Sequence, residues 1–167
     1  MTFEEALAKT VNPQLTLDEA RLLFETAKNC QFIVEIGTLK GNSALILGAT
    51  GNDVVTIDNY SSPNSSGKES AKRLMEFSRV RMVTGDSVRM GKFWVGGQVD
   101  FLFIDGDHDY EQVKADIKAW LDKVVGKIAF HDYGSWPGVT QAVDEAIEQG
   151  KLKKVEQAGT LLVVERL

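Results

Sequence analysis

The chain has 167 residues, 43% hydrophobic and 26% charged, with three prolines and a formal net charge of −5. That length supplies one well-buried core, is too short for two ordinary domains, and the composition argues against extended disorder. The acidic balance, with basic residues scattered through predicted helices, argues against nucleic acid as the main partner, and strand-sized apolar runs argue against a membrane span.

The opening MTFEEALAKT is acidic where a signal peptide is basic and lacks its apolar stretch, so a cytoplasmic location is expected. A first helix is predicted over Phe3–Lys9. Thr16-Leu17-Asp18-Glu19 then forms a Ser/Thr-x-x-Glu capping box that starts a second helix through Ala27. Cys30 is the single cysteine, so no intrachain disulfide can form, and its place just ahead of a strand suggests a packing role.

Strands are predicted near Gln31–Ile36, Val54–Ile57, Arg81–Thr84, Phe101–Ile104 and Lys127–Phe130, with helices beginning near Asn42, Ser66 and Asp109. In the Asp109 helix Tyr110, Val113, Ile117, Trp120 and Leu121 share one face, as a helix covering a sheet requires. The stretch Tyr60–Ser70, rich in serine with Pro63 and Gly67, follows the second strand and reads as a mobile lid. Pro137 is placed like a first-turn proline for a helix over Gly138–Gln149. The tail LKKVEQAGTLLVVERL gives two short strands broken at Ala158-Gly159, a hairpin that adds one antiparallel strand. Alternating strand and helix implies a doubly wound α/β fold with a mainly parallel sheet covered on both faces. A single domain over 1–167 is expected, with helices in 1–30 and the core in 31–167.

Each strand run ends in an acid or a glycine turn, which is where an open parallel sheet binds its ligand. Glu35-Ile36-Gly37-Thr38-Leu39-Lys40-Gly41 joins the first sheet strand to a helix whose N-terminus offers free N–H groups to an anion. Its glycines suit either close approach to a ligand or a plain tight turn. Asp58, followed by Asn59, can accept both hydroxyls of a ribose or can simply form a turn. Asp86 with Ser87 can meet an adenine edge or cap a short helix, and both can hold at once.

The densest segment is Asp105-Gly106-Asp107-His108-Asp109-Tyr110, where one carboxylate, Asp109, is expected to cap the following helix. His108 titrates near neutrality and is the candidate proton acceptor. Asp105, His131 and Asp132 can converge on a divalent cation, the alternative being a metal-free hydrogen-bond network. Both histidines of the chain fall in these two segments. Tyr133 and Trp136 either flank a substrate or pack on the last helix. Phe93 and Trp94 read as core or subunit-contact residues.

With these residues in place, the chain from about Phe32 onward resembles class I S-adenosylmethionine-dependent methyltransferases. The resemblance rests on E-x-G-x-x-x-G, an acid after the second strand, G-D-S after the third, and F-I-D-G-D-H-x-Y followed by A-F-H-D-Y. It is strongest toward the small-molecule O-methyltransferase branch that includes macrocin-type sugar methyltransferases and cephalosporin-hydroxylase-like proteins, and more distant toward catechol O-methyltransferases.

That resemblance implies a Rossmann-like, seven-stranded sheet with a reversed seventh strand. It also implies a cofactor site of Glu35, Gly37, Thr38, Gly41, Asp58, Asn59, Asp86, Ser87 and Asp105. Asp105 and Asp132 match metal carboxylates, joined here by His131, and His108 with Asp105 would be catalytic. Imidazole where relatives often carry a carboxylate suits Mn²⁺, Fe²⁺ or Zn²⁺ better than Mg²⁺.

The expected activity is metal-assisted methyl transfer to the hydroxyl of a small molecule. The alternatives are a non-catalytic cofactor-binding module and a mononuclear iron oxygenase built on the two histidines and an Asp. With only about 30 residues before the first sheet strand, the substrate pocket would come from Tyr60–Ser70, from Tyr133–Gly138 or from a second subunit of a homo-oligomer.

Overall fold

The computed structural model describes all 167 residues. Its centre is a seven-stranded sheet in the order β3-β2-β1-β4-β5-β7-β6. The strands are β1 (Phe32–Ile36), β2 (Asp53–Asp58), β3 (Val80–Thr84), β4 (Val99–Ile104), β5 (Val124–Phe130), β6 (Leu152–Ala158) and β7 (Leu161–Arg166). All pairings are parallel except those of β7, which runs antiparallel to both β5 and β6. The predicted hairpin and reversed strand are therefore present.

Helices α1 (Phe3–Ala8), α2 (Leu17–Ala27) and α3 (Asn42–Ala49) cover one face of the sheet. The other face packs against α6 (Tyr110–Trp120) and α7 (Pro137–Glu148), with α5 (Ser87–Lys92) alongside. Helix α4 (Gly67–Leu74) closes the β2–β3 crossover against α3. Val34 and Ile36 point to the α6 side and Ile33 to the α2 side, the alternation a strand buried on both faces needs. Trp120 is fully buried and its indole nitrogen donates to the Ser87 carbonyl, 3.0 Å away. No helix is long and apolar enough to cross a membrane.

The sequence-based boundaries differ most at β4 and β5, which begin at Val99 and Val124 rather than Phe101 and Lys127. Asp100 and Gly126 interrupt the apolar pattern there, yet both belong to the ladder. Asp100 takes part in a register shift, and its carboxylate accepts hydrogen bonds from the Gln31 and Phe32 amides, each 2.9 Å. Gly126 is required opposite it, because a Cβ would lie 2.1 Å from the Asp100 carbonyl oxygen. The stretch Tyr60–Ser70 is less lid-like than expected. Its last residues form the first turn of α4, and Ser66 N and Ser70 Oγ both donate to the Leu39 carbonyl.

Capping boxes start both N-terminal helices, at Thr2 with Glu5 and at Thr16 with Glu19. Glu19 does more than cap. It is 2% exposed, accepts from Thr16 N at 2.7 Å through Oε2, and accepts from Thr160 N and Oγ1 through Oε1. One carboxylate thus ties α2 to the β6–β7 turn. Removing it orphans buried donors, so Glu19→Ala is expected to cost about 3 kcal/mol, against about 1 kcal/mol for Thr16→Ala. Thermal melts of the two variants check this; equal shifts would reduce Glu19 to a capping residue.

Candidate active site

A cleft of about 950 Å³ runs along the carboxyl ends of the strands. It lies where the chain leaves β1 toward β2 on one side and β4 lies on the other, the switch point at which open α/β sheets bind ligands. Of the residues singled out in the sequence, Gly37, Thr38, Asp58, Asn59, Asp86, Ser87, Asp105, His108, His131 and Asp132 line it, with Trp136 at the rim. Two others stand behind the wall. Gly41, with φ of 79°, is the buried N-cap of α3 against Ser70 and Leu74. Glu35 is fully buried under the same turn.

Gly37 has φ of 100°, and a Cβ there would lie 2.0 Å from the Asp105 carbonyl oxygen. The missing side chain lets the β1 turn press on the β4 turn. Beside it, Asp58 is already oriented: Oδ2 accepts from Leu39 N at 2.7 Å and Oδ1 from Tyr60 N at 2.6 Å. Thr38 and Thr56 hydroxyls are bonded to each other, and Thr56 is bonded onward to Glu35. Asp86 caps α5 by accepting from Arg89 N at 2.7 Å.

At the other end of the cleft the acids and imidazoles converge. His131 Nδ1 lies 3.1 Å from Asp105 Oδ1 and 3.4 Å from Asp132 Oδ2, and its Nε2 lies 3.8 Å from Glu19 Oε2. Donor atoms of Asp105, His131 and Asp132 all fall within 4.8 Å of one another. Two carboxylates and an imidazole facing one point are a fitting donor set for a divalent cation with positions left open. Asp132 holds a left-handed backbone, φ of 63°, an arrangement that tends to be stored at functional sites. His108 stays outside this group. Its Nε2 is 2.9 Å from Asp132 Oδ2 and its ring stacks on Trp136 at 4.4 Å. The clustered donor set is thus two carboxylates and one imidazole, with the second imidazole held beside it by Asp132.

The electrostatics follow from this crowding. The hydrogen bond to Asp132 raises the His108 pKa against the opposing effect of burial. Burial alone would lower the His131 pKa, but bonds to Asp105 and Asp132 outweigh it and push the value up to about 10. Burial raises Asp105, while the two imidazoles hold Asp132 well below the usual carboxylate range in spite of its burial.

Asp109, expected as a side-chain cap of α6, occupies the N-cap position, but its carboxylate makes no capping bond; instead its own N–H donates to Asp107 Oδ1 at 3.0 Å. Tyr133 packs on the last helix, its hydroxyl donating to Asp144 Oδ1 at 2.7 Å. Trp94 packs between Phe32 and Trp120 with its ring tilted to both, whereas Phe93 is exposed. Three functional candidates escape sequence reasoning. Gln14 brings the α1–α2 connection into the cleft wall, a source not foreseen beside Ser61, Ser62 and Asn64. Asp116 and Gln112 project from α6 into it. The signal for Asp116 is an acid on the inner face of an amphipathic helix, between Val113 and Ile117.

Burial pushes the Glu35 carboxyl up to about 7, with hydroxyl bonds from Ser43 and Thr56 opposing, and its Oε1 has no partner. Because the folded value lies above the ordinary 4.5, both states are protonated at low pH and nothing is lost there. As pH rises from 4.5 to 7 the unfolded chain ionises first, and folding loses about 3 kcal/mol. Glu35→Gln is expected to melt higher than the parent at pH 8 and to show a much smaller gain at pH 4.5, measured by calorimetry.

A family described as a methyltransferase domain matches residues 34–133. Solved structures share the fold. The O-methyltransferase NovP superposes with a TM-score of 0.79 at 15% identity, covering 94% of this chain and 83% of that one. The O-methyltransferase TomG from Streptomyces achromogenes, involved in tomaymycin synthesis and in complex with SAM, gives 0.74 at 15% identity, covering 98% and 88%. An O-methyltransferase from Bacillus cereus in complex with SAH gives 0.72 at 18%, covering 97% and 89%. Since the family match spans more than half the sequence, from the middle of β1 to just past the His131-Asp132 pair, the chain belongs to the methyltransferase-domain family.

Proposed function

We propose that the protein transfers a methyl group from S-adenosylmethionine to a hydroxyl of a small molecule, with a divalent cation at Asp105, His131 and Asp132 and His108 as general base. The observation that carries this reading is the single cleft joining an oriented acid beside a glycine turn to a compact acid–imidazole group. Membership of the family and structural likeness to O-methyltransferases in complex with SAM and SAH support it.

In this reading Asp58 receives the ribose hydroxyls, since its oxygens are already fixed by the Leu39 and Tyr60 amides and need little reordering. Asp86 and Ser87 meet the adenine. Gly37 and Thr38, with Asn42 and Ser43 at the start of α3, face the methionine portion. Gly41 and Glu35 act from behind the wall, by fixing the turn.

The divalent cation would supply Lewis acidity that lowers the pKa of the acceptor hydroxyl. Asp132 accepts the Nε2 proton of neutral His108, which leaves Nδ1 as the basic atom that takes the acceptor's proton. Stacking on Trp136 fixes the plane of that ring. The resulting alkoxide attacks the sulfonium methyl, and the leaving thioether carries away the bonding pair. Orientation of the two reactants supplies much of the rate.

Titration calorimetry of EDTA-treated protein with S-adenosylhomocysteine tests the cofactor, and micromolar binding is expected. Asp58→Ala is expected to weaken that binding by about 10- to 100-fold, the loss of a charge-assisted bond pair; unchanged affinity would overturn the ribose assignment. His108→Ala is expected to lower turnover by about 10²- to 10⁴-fold with cofactor affinity kept, and full turnover would remove it as the base. A separate Mn²⁺ isotherm is expected to vanish in Asp105→Ala.

A further inference from the structure

Tyr60 stands between two residues that line the cleft, Asn59 and Ser61, but does not line it itself. Its backbone is left-handed, with φ of 53°, a conformation costly for a bulky aromatic. Its ring lies against Gly67, where a Cβ would sit 3.2 Å from Cε2, and its hydroxyl is buried with no hydrogen-bond partner. Burial raises the Tyr60 pKa. The Thr38 and Ser70 hydroxyls lie near enough to oppose that shift, yet neither makes a bond in this geometry. Strain and an unpaired buried hydroxyl both reduce stability, so phenylalanine would serve packing better.

The hydroxyl chain beside Tyr60 has a fixed direction. Thr56 Oγ1 donates to Glu35, which uses its one proton, so Thr38 must donate to Thr56. Thr38 Oγ1 is left with lone pairs and no donor. Ser70 Oγ cannot supply one, because it donates to the Leu39 and Ser66 carbonyls. Tyr60 O–H is the donor at hand. The segment that follows is held at its ends: Tyr60 N–H donates to Asp58 Oδ1 and Ser66 N–H to the Leu39 carbonyl. Between them, the bonds of Ser61, Asn64 and Ser65 go to Asn59 and Ser62. Ser61, Ser62 and Asn64 line the cleft.

We propose that Tyr60 is a positioning residue whose hydroxyl closes onto Thr38 Oγ1 when the nucleoside cofactor fills the cleft, drawing the Ser61–Asn64 wall against the ligand. The inference rests on the cofactor reading given above and adds to it the residue that couples occupancy to closure of this wall. Thr38 itself lines the cleft, so a ligand on the glycine turn reaches the acceptor of the new bond directly. A ligand shifts a conformation only through contacts that differ between its two states. Completion of the chain Tyr60–Thr38–Thr56–Glu35 is that difference, since three of its members are already bonded in the free protein and the fourth is not.

The test combines calorimetric titration with S-adenosylhomocysteine and thermal melting of the free protein, for the parent, Tyr60→Phe, Thr38→Val and the double variant. Tyr60→Phe keeps the ring on Gly67 and removes the unpaired hydroxyl. The free variant is therefore expected to melt as high as the parent or higher, while its affinity falls by about 3- to 10-fold, the net worth of one hydrogen bond. In the Thr38→Val background, which lacks the acceptor, Tyr60→Phe is expected to cost no further affinity, because both substitutions act through one bond. If Thr38→Val does not fold, the single Tyr60→Phe comparison decides. A merely structural Tyr60 would lower the melting temperature and leave affinity unchanged. Unchanged affinity in Tyr60→Phe, or an equal loss from it in both Thr38 backgrounds, overturns the inference and leaves the cofactor assignment standing. A parent that does not bind S-adenosylhomocysteine overturns the cofactor assignment, and this inference with it.

Discussion

The parallel register of the central strands is the constraint on which the site depends. The ladder continues one residue past the strand ends: Gly37 N bonds to Ile57 O, Asp105 N to Ile36 O, His131 N to Ile104 O and Gly85 N to Asp58 O. These bonds hold the first residues beyond β1, β4, β5 and β3 level with one another. A one-residue slip of any strand would turn its terminal side chain to the opposite face. Asp58, Asp105 and His131 share one cleft because no such slip occurs.

Two close contacts sharpen that alignment. Gly37 lets the β1 turn rest on the Asp105 carbonyl, so that turn and the first cluster acid cannot move independently. Glu19 does the same from the far side, joining α2, the β6–β7 turn and the neighbourhood of His131. The N-terminal helices are thereby part of the site's scaffold. Their connection also supplies Gln14 to the cleft wall.

Charge explains why the cluster is crowded. Asp105 and Asp132 approach within reach of one another only because His131 and His108 lie between and beside them. Uncompensated, two such carboxylates would resist sharing a partly buried space. The same logic appears in neutral form at Asp116, where a serine hydroxyl and a glutamine amide supply the donors a buried acid requires.

Local signals determined much of this protein from sequence alone. Capping boxes at Thr16-Glu19, proline at the first turn of α7, strand runs ending in acids, and the Ala158-Gly159 break each depend on neighbours a few residues away, and each element formed within a few residues of its expected place. The strand-end row of acids was equally legible, since a parallel sheet sends every strand's carboxyl end to one edge. Tertiary structure alone decided which of these acids touch. Glu19 reaches Thr160 across 141 positions, His131 meets Asp105 across 26, and Ser87 meets Asp116 across 29. It also decided that Asp109 leaves its capping bond unmade and that Glu35 and Gly41 stand behind the cleft. Such partnerships follow from how helices settle on the two faces of the sheet, a packing outcome that no short window of sequence contains.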